Sequence, residues 1–242
     1  MIAACFFDMG ETLAIARFNK RAFYNLLFNF LHKRGYRVRR YKLLHSIRRA
    51  KEYVYDVRRR QEEISLYAFV DILLNDLGII PDAHILDSIR ELYLSCYSMK
   101  LLSGAKLVLQ YLKQKRNLKL AIVSNSMSGW PKRLLKKAKI DHLFDLILIS
   151  GEVGVRKPSP LIFRIAMNLL DLLPEEILFI GDSLTEDVRG AINVGMRVIW
   201  IAKNRKSGAC YNYPTKIVTR VYKASNILEI PTLIEKIELC IV

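Results

Sequence analysis

Five side chains able to bind cations or phosphate follow the ends of four short apolar runs in this sequence. Asp8 follows the first run, Ser124 the second, Lys157 lies shortly past the third, and Asp182 and Asp187 follow the fourth. In an open parallel sheet, ligands bind beyond the carboxyl ends of the strands, so these residues would meet at one edge. Three carboxylates repel one another unless they share a cation, and hard oxygen ligands suit Mg²⁺. The spacing therefore predicts a magnesium site with a hydroxyl and an ammonium group beside it.

Short apolar runs alternate with helical patterns through most of the chain, and they predict the elements that position these residues. The continuous apolar run at residues 2–7 is typical of a strand buried on both faces. Further strands are predicted at residues 120–123, 146–150, 177–180 and 198–201, with another near 216–220. Helices are predicted at residues 105–114, 131–139, 160–170, 186–194 and 230–239. This alternation predicts an α/β fold, a Rossmann-like parallel sheet with helices on both faces.

Residues 14–99 interrupt this alternation with a helical pattern. Their only glycines and proline are Gly35, Gly78 and Pro81, and apolar side chains recur at intervals of three and four residues. Four helices with a small core of their own are therefore predicted. We expect an all-α segment at residues 15–98, inserted into an α/β core domain that is formed by residues 1–14 and 99–242.

The net charge of +16 is concentrated in this predicted insertion. Residues 14–60 hold 15 basic and 2 acidic residues. Such a block suits nucleic acid, an acidic membrane or an anionic substrate, and a solvated helix surface is the simplest alternative. If the charge steers a phosphorylated metabolite, Arg17 and Lys20 should point at Asp8. If it binds nucleic acid, it should form an outward stripe, and the clusters at residues 37–40 and 58–60 are predicted to face outward.

The composition excludes several other classes of protein. A hydrophobic fraction of 52% supports a real core and excludes wholesale disorder. No apolar run approaches the roughly 20 residues of a membrane helix, and the first residues lack a signal-peptide pattern. The four cysteines form no CxxC pair, which excludes a zinc ribbon and a disulfide-scaffolded mini-domain. A cytoplasmic location and no membrane partner are therefore expected.

Four segments of the chain resemble, in order and spacing, the four motifs of the haloacid dehalogenase-like (HAD) hydrolase superfamily. They are FDMGETL at residues 7–13, VSN at 123–125, KP at 157–158, and GDS at 181–183 together with Asp187. Residues 144–196 are similar to that family nearly throughout. The resemblance covers the core, roughly two-thirds of the chain, and the predicted insertion lies where the family has its helical cap.

The resemblance implies a phosphatase in which the motif residues have separate roles. Asp8 would be the nucleophile that attacks phosphorus and forms an aspartyl-phosphate. Ser124 and Asn125, with nearby backbone N–H groups, would bind the phosphoryl oxygens. Lys157 would neutralise charge on Asp8 and on the phosphate, acting as a point charge.

The same resemblance implies a metal site that shares Asp8. Asp182 and Asp187 would hold Mg²⁺ together with Asp8 and the backbone carbonyl of Gly10. A bound Mg²⁺ lets an anionic carboxylate approach an anionic phosphate and stabilises the charge that is transferred. Mg²⁺ is therefore the cofactor that the resemblance implies.

The sequence departs from the family pattern at Gly10. Phosphatases of this family usually have a second aspartate there, which protonates the leaving group and then activates water; such help is worth about 10²–10⁴-fold. Either Glu11 substitutes for it, or the substrate has a good leaving group or its own acid, or turnover is slow or absent. Family branches without this acid include dehalogenases and phosphonate-cleaving enzymes, but the dehalogenases do not need carboxylates such as Asp182 and Asp187.

We therefore expect a Mg²⁺-dependent phosphohydrolase that acts on a small phosphorylated metabolite. The alternative is a weakly active or inactive HAD-fold protein whose basic cap binds nucleic acid, which Gly10 and the charge block favour. Phosphatases, phosphotransferases and mutases share these motifs. The sequence indicates neither the identity of the substrate nor the oligomeric state.

Overall fold

Parallel strands form a six-stranded sheet in the computed structural model, which describes residues 1–202 and 220–239. In chain order the strands are β1 (Ala4–Phe7), β2 (Ala14–Phe18), β3 (Tyr97–Leu101), β4 (Lys119–Ser124), β5 (Leu146–Ile149), β6 (Ile177–Gly181), β7 (Arg197–Ile201) and β8 (Val221–Ala224). The order across the sheet is β5-β4-β1-β6-β7-β8, and every neighbouring pair is parallel. β1 therefore lies between β4 and β6, in the middle of the sheet.

Helices of the core cover both faces of this sheet. In chain order, the helices of the described residues are α1 (Lys20–Lys33), α2 (Arg40–Arg59), α3 (Leu66–Asp76), α4 (Ala83–Ser95), α5 (Ala105–Gln114), α6 (Trp130–Lys137), α7 (Ser150–Val153), α8 (Pro160–Leu170), α9 (Arg189–Asn193) and α10 (Ile230–Leu239). Cys5 and Phe7 of β1 join one apolar cluster with α5, α6 and α10. Ala4 and Phe6 join a second cluster, on the opposite face, with α8 and α9. The predicted α/β fold with helices on both faces is confirmed.

The predicted core elements lie within a few residues of the observed ones, with two differences towards the end of the chain. The helix predicted at residues 186–194 is divided into a π-helical turn, Leu184–Val188, and the short helix α9. The strand predicted near residues 216–220 falls, except for its last residue, outside the described part of the chain. At this edge of the sheet the structure describes β8, which begins directly after that stretch.

Helices α1–α4 lie between two strands, and we call this part of the molecule, residues 20–95, the helical insertion. β2 and β3 pair in an antiparallel ribbon in which Ala14 lies opposite Leu101 and Phe18 opposite Tyr97. The helical pattern of residues 15–98 includes both strands and does not predict this ribbon. The reason is that each strand has only five residues, too few for alternation to stand out beside a long helical pattern. The domain boundaries at residues 14/15 and 98/99 stay a prediction.

The four helices of the helical insertion pack around an apolar cluster of their own, as predicted. Its members include Phe23, Ile47, Phe69 and Ile89, one from each helix, and all are buried. Three of these helices also begin at a capping side chain that accepts a hydrogen bond from the backbone N–H three residues later. The caps are Asn19, Ser65 and Asp82, with distances of 3.0, 3.1 and 2.7 Å.

The loop between α2 and α3 is hydrogen-bonded to the core through main-chain groups. The Glu63 N–H donates to the Gly154 carbonyl at 2.9 Å, and the Arg156 N–H donates to the Gln61 carbonyl at 3.1 Å. A third contact, from the Leu66 N–H to the Met127 carbonyl, measures 2.8 Å. The helical insertion is therefore fixed to the core directly before Lys157.

Glu63 also places a fully buried carboxylate at this junction. The Arg58 Nε donates to it at 3.0 Å, and a guanidinium nitrogen of Arg156 lies 4.0 Å away. Arg156 in turn pairs with Glu186 at 2.9 Å. The expectation that residues 58–60 all face outward is therefore wrong for Arg58, whose side chain turns towards the buried Glu63 instead.

Glu63→Gln should lower the free energy of unfolding by about 2–4 kcal/mol, because it leaves two guanidinium groups beside a buried neutral amide. Glu62→Gln is the matched control. Its carboxylate is 52% exposed and pairs with Arg60 at 3.2 Å, so its loss should cost less than about 1 kcal/mol. Urea denaturation of both variants measures the difference. Equal losses would contradict the assigned role of Glu63.

Candidate active site

Asp8 marks the centre of the site, because it follows β1 between the ends of two neighbouring strands. Its backbone N–H donates to the Ile180 carbonyl of β6 at 2.9 Å, so the parallel ladder continues up to this residue. Ser124 ends β4 on the other side and is buried. The strand order thus brings together, at the carboxyl edge of the sheet, the side chains that the sequence analysis grouped from their spacing.

Lys157 joins two of the predicted acidic residues. Its Nζ donates to Asp8 Oδ1 at 2.7 Å and to Asp187 Oδ1 at 2.6 Å. The side chain is only 1% exposed, and its ammonium also lies 5.4 Å from the centre of the Phe179 ring. A buried ammonium group between two carboxylates has its charge compensated, and the two hydrogen bonds hold the Lys157 side chain in this position.

Asn125 holds the main chain of Lys157. Its Nδ2 donates to the Lys157 carbonyl at 3.0 Å, and its Oδ1 accepts from the Lys157 N–H at 2.8 Å. Both polar ends of the side-chain amide are therefore engaged with one residue. The resemblance predicts that Asn125 binds phosphate; the structure shows in addition a contact that positions Lys157, which the VSN motif does not reveal by itself.

The backbone that follows β6 fixes the carboxylate of Asp187. The Ser183 N–H donates to Asp187 Oδ2 at 2.9 Å. A Cβ at Gly181 would lie 2.5 Å from this carboxyl group, so only glycine leaves room for it. The GDS motif includes Gly181, and the position of this glycine directly before Asp182 is the only indication in the sequence that it lies at the site.

The carboxylates of Asp8, Asp182 and Asp187 converge, with one oxygen from each lying within 4.8 Å of the others. Oxygens that share one Mg²⁺ lie about 2.1 Å from the ion, hence up to about 4.2 Å apart. Small side-chain rotations would therefore suffice. Carboxylate oxygens are also the hard ligands that such a divalent ion prefers. The donor set fits a hard divalent ion.

Burial controls the protonation of this cluster. Loss of solvent, opposed by the Lys157 ammonium and reinforced by the charges of Asp187 and Asp182, raises the pKa of Asp8 to about 7. The two carboxylates raise the pKa of Lys157 above its usual value despite its burial. Without a cation, the site therefore holds an ammonium group and an Asp8 that is partly protonated near neutral pH.

Glu11 lies between β1 and β2, whereas Arg17 lies within β2 and Lys20 begins α1. Glu11 has a left-handed backbone conformation, with φ of 57°, and its carboxylate lies 3.6 Å from the Arg17 guanidinium. Arg17 is 75% exposed and pairs with Glu11, and the hypothesis that it steers a substrate towards Asp8 stays a prediction. Gly10 forms a bridge with Ala14, and a Cβ added to it would contact nothing within 4 Å.

None of the helices in the described part of the chain is both long enough and apolar enough to cross a membrane.

Curated proteins that match the sequence include several phosphatases. Phosphoserine phosphatase of Thermus thermophilus is 41% identical over 88 residues, which is 36% of this chain and 35% of that protein. Glyceraldehyde 3-phosphate phosphatase of Pyrococcus furiosus is 33% identical over 114 residues, 47% and 44% of the two chains. Human N-acylneuraminate-9-phosphatase is 28% identical over 129 residues, which is 51% of this chain and 48% of that protein. The chain thus aligns with about a third to a half of each of these relatives.

Solved structures show the same fold along nearly the whole chain. A 2-haloacid dehalogenase from Pseudomonas syringae superposes with a TM-score of 0.70 at 17% identity and covers 98% of this chain and 99% of that one. A HAD phosphatase from Thermococcus onnurineus superposes with a TM-score of 0.58 at 20% identity, with coverage of 96% and 98%. The family model of the haloacid dehalogenase-like hydrolases matches residues 2–195. The chain belongs to this family of hydrolases.

Proposed function

We propose that the protein is a Mg²⁺-dependent phosphatase that cleaves a small phosphorylated metabolite through an aspartyl-phosphate. The observation that carries the proposal is the buried Lys157 ammonium held between Asp8 and Asp187, next to a third carboxylate. Phosphoryl transfer needs a nucleophile with positive charge fixed around it. The names of three partly aligned relatives, all phosphatases of small molecules, support the same reaction class.

The residues of the site have distinct roles in this proposal. An oxygen of Asp8 forms a bond to phosphorus while the bond from phosphorus to the leaving oxygen breaks, and water later cleaves the acyl phosphate. Lys157 holds the Asp8 carboxylate in place and neutralises charge on the phosphoryl group. The Ser124 hydroxyl and the backbone N–H groups after β4 bind phosphoryl oxygens, and Asn125 keeps Lys157 in position.

Mg²⁺ would be held by Asp8, Asp182, Asp187 and the carbonyl of Gly10. When bound, it supplies Lewis-acid stabilisation of the charge on the transferred group.

The buried free thiols of Cys5 and Cys96 suit a reducing compartment, so we place the enzyme in the cytoplasm.

Asp8→Asn should abolish Mg²⁺-dependent hydrolysis of an aryl phosphate, a loss of at least about 10³-fold, because an amide oxygen is a poor nucleophile. The matched control is Asp56→Asn on the exposed surface of α2, where the carboxylate is 63% exposed. Steady-state assays with and without EDTA measure both variants. Retained activity in Asp8→Asn would exclude Asp8 as the nucleophile.

The stability of the metal-free protein should fall, relative to Asp8→Asn, as the pH rises. The pKa of Asp8 is about 7 in the folded protein and 3.8 in the reference state. A carboxyl group whose pKa is raised on folding stabilises the fold only while it is protonated, so this contribution is lost as pH increases. Between about pH 5 and about pH 8 the free energy of unfolding should decrease, relative to that of Asp8→Asn, by an amount on the order of 2 kcal/mol. Denaturation in EDTA measures it, and added Mg²⁺ should reverse the trend.

Gly10→Asp should raise the rate of hydrolysis of alkyl phosphates, because an alkoxide is a poor leaving group that needs a proton. It should change the rate on aryl phosphates little. It would add a general acid, worth about 10²-fold or more, at a position with open space for a side chain.

Glu11→Gln tests the other source of a proton. If Glu11 already acts as the acid, this variant should slow the hydrolysis of alkyl phosphates but not that of aryl phosphates. No change on alkyl phosphates in either variant would show that proton donation does not limit the reaction.

A second candidate function is binding of nucleic acid by the helical insertion. The supporting observation is that several of its cations face solvent, with Arg37, Arg48, Arg49 and Arg59 all exposed. Exposed tyrosines also lie between these arginines on α2, and Arg59 lies 4.7 Å from the centre of the Tyr55 ring. Salt-dependent binding of single-stranded RNA, by a protein that hydrolyses no phosphate monoester, would reverse the ranking of the two functions.

A further inference from the structure

A cavity of about 310 Å³ opens in the helical insertion and is lined by aromatic side chains. Phe23, Phe69 and Tyr93 are almost fully buried and form its apolar part. Phe18 stacks on Tyr93 with ring centres 4.4 Å apart. This volume lies in the range of small-molecule sites, and the rigid aromatic surface would suit the carbon skeleton of a metabolite.

The cavity lies where the helical insertion meets two segments of the core that lead away from motif residues. Phe18 ends β2, the strand that follows Asp8 and its loop, and Met127 lies three residues after Ser124. The Leu66 N–H also donates to the Met127 carbonyl at 2.8 Å, which fixes the insertion to the segment after Ser124. The cavity therefore opens at the junction between the helical insertion and the core.

The cavity contains more positive than negative charge. One side of α2 presents Lys51, Tyr55 and Arg58 to it, at the spacing that places residues on one helix face, and Lys20 contributes from α1. Arg58 is neutralised by Glu63 at 3.0 Å. In the part of the chain that the structure describes, neither Lys20 nor Lys51 forms an ion pair. Two ammonium groups thus remain uncompensated.

Tyr24 holds Lys51 at the cavity wall. The Lys51 Nζ donates to the Tyr24 hydroxyl, and the ammonium lies 5.0 Å from the centre of that ring. These contacts orient the ammonium group but leave its charge in place, because a phenol is neutral. A cation held in position beside apolar aromatic rings binds an anion more strongly than a freely moving surface lysine.

We propose that this cavity binds the end of the substrate remote from the phosphate that is cleaved. Lys51, with Lys20, selects substrates in which that end carries a second anionic group, either a carboxylate or another phosphate. The inference rests on the proposed phosphatase function and adds a substrate class to it. It also gives the basic block a role that does not involve nucleic acid.

Three substrates with the same three-carbon skeleton test the proposal. They are glycerol monophosphate, glycerate phosphorylated on its terminal hydroxyl, and glycerol phosphorylated on both terminal hydroxyls. They differ only in whether a hydroxymethyl group, a carboxylate or a second phosphate lies opposite the reacting group. We expect the two compounds with a second anion to have the higher kcat/KM, and their ranking shows which anion the cavity prefers.

Lys51→Met keeps most of the side-chain length and removes the charge. It should reduce kcat/KM about tenfold for whichever compound with a second anion is preferred. The reduction should come mainly from a higher KM, because a charge-assisted hydrogen bond is lost. The loss should be much smaller for glycerol monophosphate. Lys20→Met combined with Lys51→Met should remove the preference. Lys42→Met is the control, since Lys42 lies on α2 away from this cavity and should leave all three values unchanged.

Calorimetric titration of Asp8→Asn protein with the same three compounds separates this proposal from the proposed function. Tighter binding of the compounds with a second anion, and loss of that preference when Lys51→Met is added, support the proposal even if no turnover is seen. Equal binding of all three compounds, or a preference that survives both lysine substitutions, overturns it. Absence of hydrolysis with a retained binding preference would instead overturn only the phosphatase function.

Discussion

The buried ammonium of Lys157 is the interaction on which the rest of the site depends. A lysine with a side chain 1% exposed requires nearby negative charge, and Asp8 and Asp187 provide it at 2.7 and 2.6 Å. Those two carboxylates in turn tolerate each other because the ammonium lies between them. The Asn125 amide, the missing Cβ of Gly181 and the Ser183 N–H all serve to hold this trio in place.

Much of the core and most of the site residues were predictable because both depend on local patterns. Apolar runs predicted β1, β4 and β6, and the residues that follow a parallel strand must lie at one edge of the sheet. The convergence of Asp8, Asp182 and Asp187 follows from that rule. The sequence did not predict the clamp between Asn125 and Lys157, because it depends on how two loops meet, a contact between positions 32 residues apart.

The helical insertion was predictable as helices but not in its attachment to the core. Helical spacing predicted its four helices, whereas the β2–β3 ribbon joins segments about 80 residues apart. The same limitation applies to Arg58, which the local charge pattern placed on the surface. Its side chain turns towards Glu63 because that buried carboxylate needs a counter-ion. Charge counting along the chain shows where cations occur, and only the fold shows which of them are compensated.

The central place of β1 in the sheet has a consequence for the order of folding. Its two neighbours, β4 and β6, are formed by residues 119–124 and 177–181 of 242, so β1 has both partners only after about three-quarters of the chain has been synthesised. The buried members of the apolar cluster of the helical insertion are nearer in sequence, between Phe23 and Cys96. Local contacts form faster than distant ones. The helices should therefore associate first, and the catalytic edge should be completed only when β6 docks against β1.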